Sequence, residues 1–239
     1  MRILFGLVVC LAISIAGSGS TFAAWVYNAN DKFVAYETIG SSSVAAFSKF
    51  KAGYSGVLGG PFIQFAEADH TDSWIGNSKM QGWGKDTPAV AVNTSSAVEN
   101  VSGVGPVDAG RILLHPGSTF ANAILRFTAT HTGIYSIEGG WNSLGGGSTI
   151  NYILKNGVSV PPLFESSLDH STFSFSDIVL STNDTIDFIV NSNGDHGFDS
   201  TGLRATITGV PEPSSLLLFG LGGLGLAGIA KRRRARIVA

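Results

Sequence analysis

The chain has 239 residues, of which only 13% are charged, and its formal net charge is −2. A typical soluble chain has about 25% charged residues, so this composition argues against a charge-rich coiled coil and a basic nucleic-acid binder. Its single cysteine, Cys10, excludes an internal disulfide framework and cysteine-ligated zinc or iron–sulfur centres.

Residues 1–23 are typical of a secretory signal peptide. Arg2 precedes an apolar run from Ile3 to Ala16, and the small residues that follow predict cleavage before Ala24. That run is shorter than the roughly 20 residues that a helix needs to cross a bilayer. Its length therefore favours a cleaved signal peptide over a transmembrane anchor.

The exported body is predicted to be residues 24–209, and its first half gives few clear elements. Strands are predicted over 61–66 and 89–92, and loops over 40–60 and 67–88, which are rich in small and polar residues. We favour one domain. Two domains divided near 102–110 are the alternative.

The second half shows the period-two alternation of half-buried strands. Ile134 and Ser136 are predicted to face one way, and Tyr135 and Ile137 the other, while Asn156–Gly157 is a two-residue hairpin signal. Strands are predicted over 111–115, 122–128, 133–138, 149–155, 171–176, 184–190 and 203–207. The predicted fold is all-β, an antiparallel β-sandwich of jelly-roll-like type. A signal peptide precedes this sandwich, and a transmembrane sorting helix follows it.

The body is more acidic than the whole chain. It keeps nine of the 15 Lys and Arg residues but 16 of the 17 Asp and Glu residues, because Arg2 lies in the signal peptide and five basic residues lie in the C-terminal tail. This charge argues against nucleic acid as a partner.

Four carboxylates of the second half, Asp184, Asp187, Asp195 and Asp199, are candidates for paired acid and base chemistry. Glycoside hydrolases need two such groups about 5 Å or about 6.5–9.5 Å apart. Turn capping is the simpler interpretation. Because no His-Glu-x-x-His or Gly-x-Ser-x-Gly motif is present, we assign no catalytic residue.

The same region offers a candidate calcium site. Asn191, Asn193, Asp195 and Asp199 supply the clustered oxygen atoms that calcium prefers, although the spacing lacks the complete EF-hand pattern. No other cofactor is predicted.

Three tryptophans, Trp74, Trp83 and Trp141, lie in polar or glycine-containing segments and are candidate sugar-stacking residues. An exposed aromatic face can stack on the apolar face of a pyranose ring. The alternative is that they anchor the core, as tryptophan usually does in sandwiches.

The C-terminus has three consecutive parts. Pro211, Glu212 and Pro213 precede an apolar run of 15 residues from Leu216 to Ala230, which contains five glycines. A helix of that length is marginal for spanning a bilayer. The basic residues after it are predicted to stay in the cytoplasm: Lys231, Arg232, Arg233, Arg234 and Arg236.

This arrangement over 210–236 resembles the PEP-CTERM sorting signal. In that family an exosortase, a cysteine-dependent transpeptidase-like enzyme, processes the signal at the inner membrane of Gram-negative bacteria whose exosortase genes accompany exopolysaccharide production. The resemblance implies an exosortase as partner, a transient membrane anchor and delivery to the cell surface or extracellular matrix. An ordinary single-pass anchor is the alternative.

The segment 111–207 also resembles secreted β-sandwich modules that recur in PEP-CTERM proteins and are similar to carbohydrate-binding modules. Leu113–Gly117, Leu125–Ala129 and Asp199–Thr201 carry this resemblance. It implies no activity, so we expect a non-enzymatic exported protein with exopolysaccharide as a candidate ligand. A secreted glycan hydrolase and a permanently anchored adhesion protein are the alternatives.

Overall fold

The computed structural model describes residues 24–29, 50–84, 87–118 and 121–211, and nearly all of its regular structure is strand. One 3₁₀ turn, Glu67–Asp69, precedes β4. The strands are β1 (Trp25–Asn28), β2 (Phe50–Ser55), β3 (Ile63–Gln64), β4 (His70–Thr71), β5 (Met80–Trp83), β6 (Ala89–Asn93), β7 (Glu99–Val101), β8 (Gly105–Val107), β9 (Ile112–His115), β10 (Asn122–Thr128), β11 (Gly133–Ser143), β12 (Ile150–Lys155), β13 (Phe164–Ser166), β14 (His170–Leu180), β15 (Thr185–Asn191) and β16 (Thr201–Pro211).

The strands form two antiparallel sheets that pack face to face. In the first sheet the order is β14-β11-β16-β9-β6-β5-β4, and β1 joins β16 beside β9. In the second sheet the order is β13-β12-β15-β10-β2-β3. The β7–β8 hairpin stands apart from both. The all-β, antiparallel sandwich predicted from the sequence is therefore confirmed.

The core lies between the sheets and is built from the inward positions of the alternating strands. Leu125, Phe127 and Phe188 come from the second sheet, Ile137 and Ile207 from the first, and all five are fully buried. Burying a side chain of this size contributes roughly 1.5–3 kcal/mol. The facing directions predicted along β11 are confirmed, because burial there alternates residue by residue.

The outer faces are partly covered by two smaller apolar clusters. On the first sheet, the β7–β8 hairpin and Trp74 cover Met80 and Leu113. On the second sheet, Phe62 packs over a cluster that includes Ile124. These covers explain why strands such as β6 are buried on both faces.

The first half contains strands where the sequence predicted loops. β2 lies inside 40–60 and β5 inside 67–88, so both predicted loops are wrong in part. Gly53 contributes to the loop-like composition of this segment, but β2 requires a glycine at this position. A Cβ there would collide with the backbone oxygen of Ile63 on β3.

The turn at Asn156–Gly157 forms, but it does not join two strands directly. Both residues have positive φ, and the Val158 amide donates to the Lys155 carbonyl at 3.0 Å. Pairing with β12 resumes only at Leu163, whose amide donates to Ile153. The predicted two-residue hairpin is therefore a tight turn inside a longer connection.

The predicted signal peptide, the C-terminal helix and the basic tail lie outside the described residues. In the part of the chain that the structure describes, no helix is long and apolar enough to cross a membrane.

A buried ion pair lies on the outer face of the second sheet. Arg126 and Asp187 are in register on β10 and β15, and the guanidinium donates Nε to Oδ1 at 2.6 Å and a terminal nitrogen to Oδ2 at 2.7 Å. The centroid of the Phe62 ring lies 4.2 Å from the guanidinium carbon of Arg126. The Asp187 side chain is only 3% exposed, so its charge depends on this single partner.

We expect Arg126→Ala to lower the free energy of unfolding by about 3 kcal/mol, because it leaves Asp187 buried and unpaired. Urea unfolding would measure this loss. The matched control is Lys51→Ala, since Lys51 is in register with Arg126 but exposed, and its effect should stay within about 0.5 kcal/mol. Replacing both Arg126 and Asp187 by leucine should recover most of the loss. Equal effects of Arg126→Ala and Lys51→Ala would contradict this account.

Candidate functional site

The sorting end is the end of the sandwich at which β16 finishes. β16 runs to Pro211, the last described residue and the first of the Pro-Glu-Pro motif. Pro211 is in register with Gly133 on β11, and Gly209 with Trp25 on β1. The chain that enters the motif is thus held between two neighbouring strands. Other predicted sorting residues lie outside the described residues: Glu212, Pro213, Lys231, Arg232, Arg233, Arg234 and Arg236.

Trp25 holds β1 against the sorting end. Its indole stacks on His131, with ring centroids 4.2 Å apart and planes 14° apart. The indole also lies 3.4 Å from the position that a Cβ would take at Gly133, and 3.0 Å from that position at Gly209. Both glycines therefore leave room for the ring. As a result Ala24, the predicted mature N-terminus, lies next to the strand that leads into the motif.

The three tryptophans singled out for sugar stacking are all buried. Trp74, Trp83 and Trp141 are 1%, 6% and 2% exposed. Trp83 and Trp141 belong to the core between the sheets, and Trp74 belongs to the cluster under the β7–β8 hairpin. Stacking on a sugar requires an exposed ring face. Burial removes the reason for assigning these residues to a ligand, and the alternative of core anchoring fits them.

An open polar groove crosses the outer face of the first sheet over β11, β14 and β16. It consists of two adjoining hollows of about 630 and about 500 Å³, which share Gly139 and Arg204. Two rows of residues in cross-strand register, one residue from each strand, form its floor. The rows are Ser174–Glu138–Thr206 and Thr172–Gly140–Arg204.

The side chains of this polar groove supply both hydrogen-bond donors and acceptors. Thr172 and Ser174 on β14 carry hydroxyl groups, Glu138 on β11 carries a carboxylate and Arg204 on β16 carries a guanidinium, and all four residues are exposed. Gly140 places no side chain between Thr172 and Arg204, which keeps the floor open. Such a surface suits a ligand rich in hydroxyl groups.

Asp108 fixes the basic wall of the polar groove. Its Oδ2 accepts hydrogen bonds from terminal nitrogens of Arg111 at 2.6 Å and Arg204 at 3.2 Å. The hydrogen bond from Arg111 is the main reason that the pKa of Asp108 lies below its ordinary value. Sequence reasoning missed this group, because Arg111 and Arg204 are far apart in the chain and only the β9–β16 register brings them together.

The residues predicted to bind calcium do not act as one set. The Asn191 amide nitrogen donates to Asn122 at 2.7 Å, and its oxygen accepts from the Asn193 backbone amide at 2.9 Å. Asp195 Oδ1 accepts from the Gly197 amide at 3.0 Å. Within the described residues, no three His, Cys, Asp or Glu side chains converge on a metal-sized space. The two asparagines are therefore occupied in local turns and contacts.

Asp199 differs from the other residues of this set because it is enclosed. Its side chain is 1% exposed, and neither carboxylate oxygen makes a hydrogen bond of good geometry. Burial, together with the charge of Asp195, raises its pKa to about 7, whereas the nearby Ser148 amide acts in the opposite direction. The carboxyl group is thus poised to lose its proton near neutrality.

Of the four candidate acids, only Asp195 and Asp199 lie close enough for the charge of one to affect the pKa of the other, and Asp184 and Asp187 lie elsewhere in the sandwich. Asp184 caps a turn by accepting from the Ser181 amide and Asn156, and the hydrogen bond from Ser181 holds its pKa below the usual range. Asp187 is committed to Arg126. Asp184 and Asp195 flank opposite ends of β15, which at ~3.3 Å per residue separates them by roughly 20 Å along the strand. This separation does not suit a hydrolase pair.

The comparison with protein families identifies the sorting end. A model of the PEP-CTERM protein-sorting motif matches residues 209–234. The chain carries a PEP-CTERM sorting motif. The match overlaps the predicted signal at 210–236 and begins inside β16, whose last residues lie at the sorting end. The prediction of a sorting signal is confirmed, and it indicates export and membrane-anchored sorting in a Gram-negative bacterium.

Solved structures similar to this chain include carbohydrate-binding modules and a mannanase that contains one. A CBM51 from Clostridium perfringens GH95 in complex with methyl-galactose is 9% identical, with a TM-score of 0.35, and the match covers 77% of this chain and 99% of that one. A CBM29-2 variant is 10% identical, with a TM-score of 0.29, over 68% and 92% of the two chains. The Podospora anserina GH26-CBM35 β-(1,4)-mannanase is 12% identical, with a TM-score of 0.30, and the match covers 52% of this chain and 28% of that one. No curated protein matches the chain.

We expect Asp199→Asn to flatten the pH dependence of stability. Between about pH 4 and about pH 7 the folded carboxyl keeps a proton that the unfolded one has lost, so wild-type stability falls as pH rises through this window. In metal-free buffer the variant should lack this fall, and urea unfolding across the window would measure it.

The control is Asp184→Asn, for which the sign is opposite. The pKa of Asp184 is lowered by folding, so its contribution to stability is present above about pH 4 and is lost as pH falls below that value. An Asp199→Asn protein that keeps the wild-type slope between about pH 4 and about pH 7 would contradict the assignment.

Proposed function

We propose that this protein is an exported, non-enzymatic surface or extracellular-matrix protein that is sorted by an exosortase and binds exopolysaccharide. The observation that carries this proposal is the sorting motif, which begins in the last strand of the sandwich. The jelly-roll-like body is the part of the protein that is delivered. The sorting motif and its helix are the means of delivery.

The route follows from the order of the segments. The signal peptide starts export and is removed before Ala24, and the body folds outside the inner membrane. The apolar run from Leu216 to Ala230 then holds the protein in the membrane, while the basic residues after it stay in the cytoplasm. Exosortase acts near the Pro-Glu-Pro motif and releases the body from this anchor.

The polar groove supports a polysaccharide as the ligand. It is open, extends over three strands and presents hydroxyl, carboxylate and guanidinium groups on one face. Sugar hydroxyl groups both donate and accept hydrogen bonds, so a mixed lining suits them better than a lining of one charge. Without an exposed indole in the groove, binding should depend on hydrogen bonds and on many weak contacts along a chain.

The distribution of carboxylates supports a role without catalysis. Asp184 lies in a turn and Asp187 in a buried ion pair, and Asp195 follows the opposite end of β15 from Asp184. A glycoside hydrolase needs two carboxyl groups that face each other across the sugar. The second candidate function, a glycan hydrolase, lacks that arrangement among Asp184, Asp187 and Asp195, and Asp199 is buried outside the polar groove.

We expect the mature protein to begin at Ala24 and to lack the residues after the Pro-Glu-Pro motif in cells with an active exosortase. Intact-mass measurement of the protein from such cells, and from cells without the enzyme, tests this. The matched control is a chain without residues 231–236, for which we expect poor retention in the membrane and poor processing. If the masses are identical in both kinds of cell and include Leu216–Ala239, the protein is permanently anchored in the membrane instead.

We expect Arg204→Ala to weaken retention of the full-length protein on its host's exopolysaccharide about tenfold, since a lost charged hydrogen bond contributes about 1.5 kcal/mol. Glu138→Ala should act in the same direction. Affinity electrophoresis in gels that contain the polysaccharide measures retention. Lys51→Ala removes an exposed cation from the other sheet and should change nothing.

The same samples test the hydrolase alternative. Non-enzymatic binding predicts no increase in reducing sugar ends after long incubation with the polysaccharide. Sugar release by the wild-type protein would establish the hydrolase instead. Equal retention of Arg204→Ala and wild-type protein would remove the polar groove as the binding site.

A further inference from the structure

Asp199 is enclosed at the end of the sandwich opposite the sorting end, where the connection 192–200 meets the connection 144–149. Its side chain is 1% exposed, and neither of its carboxylate oxygens has a hydrogen-bond partner of good geometry. Within the described residues, no Lys, Arg or His side chain forms an ion pair with it. A buried carboxylate without a partner is costly, so this position requires a positive charge or a proton.

Other oxygen atoms lie beside the same carboxylate. A Cβ at Gly147 would collide with Asp199 Oδ1 and would lie 2.7 Å from the Gly197 carbonyl oxygen, so both oxygens lie against the Gly147 backbone and close to each other. A Cβ at Gly197 would lie 3.5 Å from Oδ1 of Asp195. The Asp195 side chain is 89% exposed, so its carboxylate is accessible from solvent.

We propose that Asp199, the Gly197 carbonyl and Asp195 bind a calcium ion. Calcium takes 6–8 oxygen ligands in irregular arrangements and accepts carboxylates, backbone carbonyls and water together. Magnesium requires a regular octahedral set and gives up its water reluctantly, so it suits this loop less well. The proposal keeps two of the four residues that the sequence predicted and replaces the two asparagines by a backbone carbonyl.

The calcium ion ties two connections of the sandwich together. Asp199 approaches Gly147 directly, and the amides of Leu144 and Gly145 donate to the Ser200 carbonyl at 2.8 and 3.3 Å. Neutralising Asp199 therefore stabilises the contact between 144–149 and 192–200. The site shares no ligand with the polar groove and does not depend on exopolysaccharide binding.

Thermal unfolding and calorimetric titration of the full-length protein in detergent test the proposal. After treatment with EDTA, addition of excess calcium chloride should raise the melting temperature by about 5 °C, because an ion that binds only the folded state stabilises it. Calorimetry should show one site per chain. Magnesium chloride at the same concentration should give a clearly smaller shift.

Two variants and a matched control assign the ligands. Asp199→Asn should abolish the calcium shift. Asp195→Asn should weaken calcium binding about tenfold, and because Asp195 is exposed this variant tests the site even if Asp199→Asn does not fold. The control is Asp177→Asn, an exposed residue with positive φ that asparagine adopts readily, and it should keep the full shift.

Three results would overturn the proposal. The first is a wild-type protein with no shift and no heat of binding, which would mean that Asp199 is neutralised by a proton alone. The second is a calcium shift that survives both Asp199→Asn and Asp195→Asn. The third is a shift with zinc but not with calcium that His196→Ala abolishes, because it would assign the loop to a different metal.

Discussion

The antiparallel register between β11 and β16 is the constraint on which the rest of the structure depends. It runs without interruption from the Gly133–Pro211 pair to the Ser143–Thr201 pair. Its inward positions supply Ile137 and Ile207 to the core. Its outward positions form the floor of the polar groove. One end of the register holds the entrance to the sorting motif, and the other leads directly into the Asp199 loop. A shift by one residue would turn every one of these side chains to the other face of the sheet.

Among the described residues, the two buried carboxylates have different surroundings. Asp187 has a guanidinium partner in register on the neighbouring strand, and the pair is satisfied within the sheet. Asp199 has no such partner among the described side chains, and burial is the main reason that its pKa is raised to about 7. The charge of Asp187 is therefore balanced within the fold, whereas Asp199 needs a proton or a cation from solution. This contrast separates a structural charge from a candidate binding site more clearly than sequence spacing does.

Much of the fold could be predicted from the sequence, because strands with one buried face repeat their pattern every two residues. β10 was predicted with its observed bounds, and β9, β12 and β15 within one residue at each end. β2 was missed because Gly53 is needed for the close approach of β3, and close approach between strands leaves no local pattern.

The candidate sites were harder to predict than the fold. The sorting motif is contiguous in sequence and could be identified from its own residues. The polar groove depends on register between β11, β14 and β16, so its residues are scattered through the chain. The tryptophans failed as candidates because polar neighbours in sequence do not determine whether a ring is exposed: Trp74 is covered by residues of the β7–β8 hairpin.

The position of the sorting motif after β16 determines which hydrogen bonds carry a force that is applied through the C-terminus. A strand that leaves a sheet at its end is pulled along its own axis. Its hydrogen bonds lie across that axis and must break together rather than one after another. β16 is paired on one side with β11 along its whole length and on the other with β1 and β9. Tension applied through the C-terminus therefore loads the sandwich in shear, the direction in which paired strands are strongest.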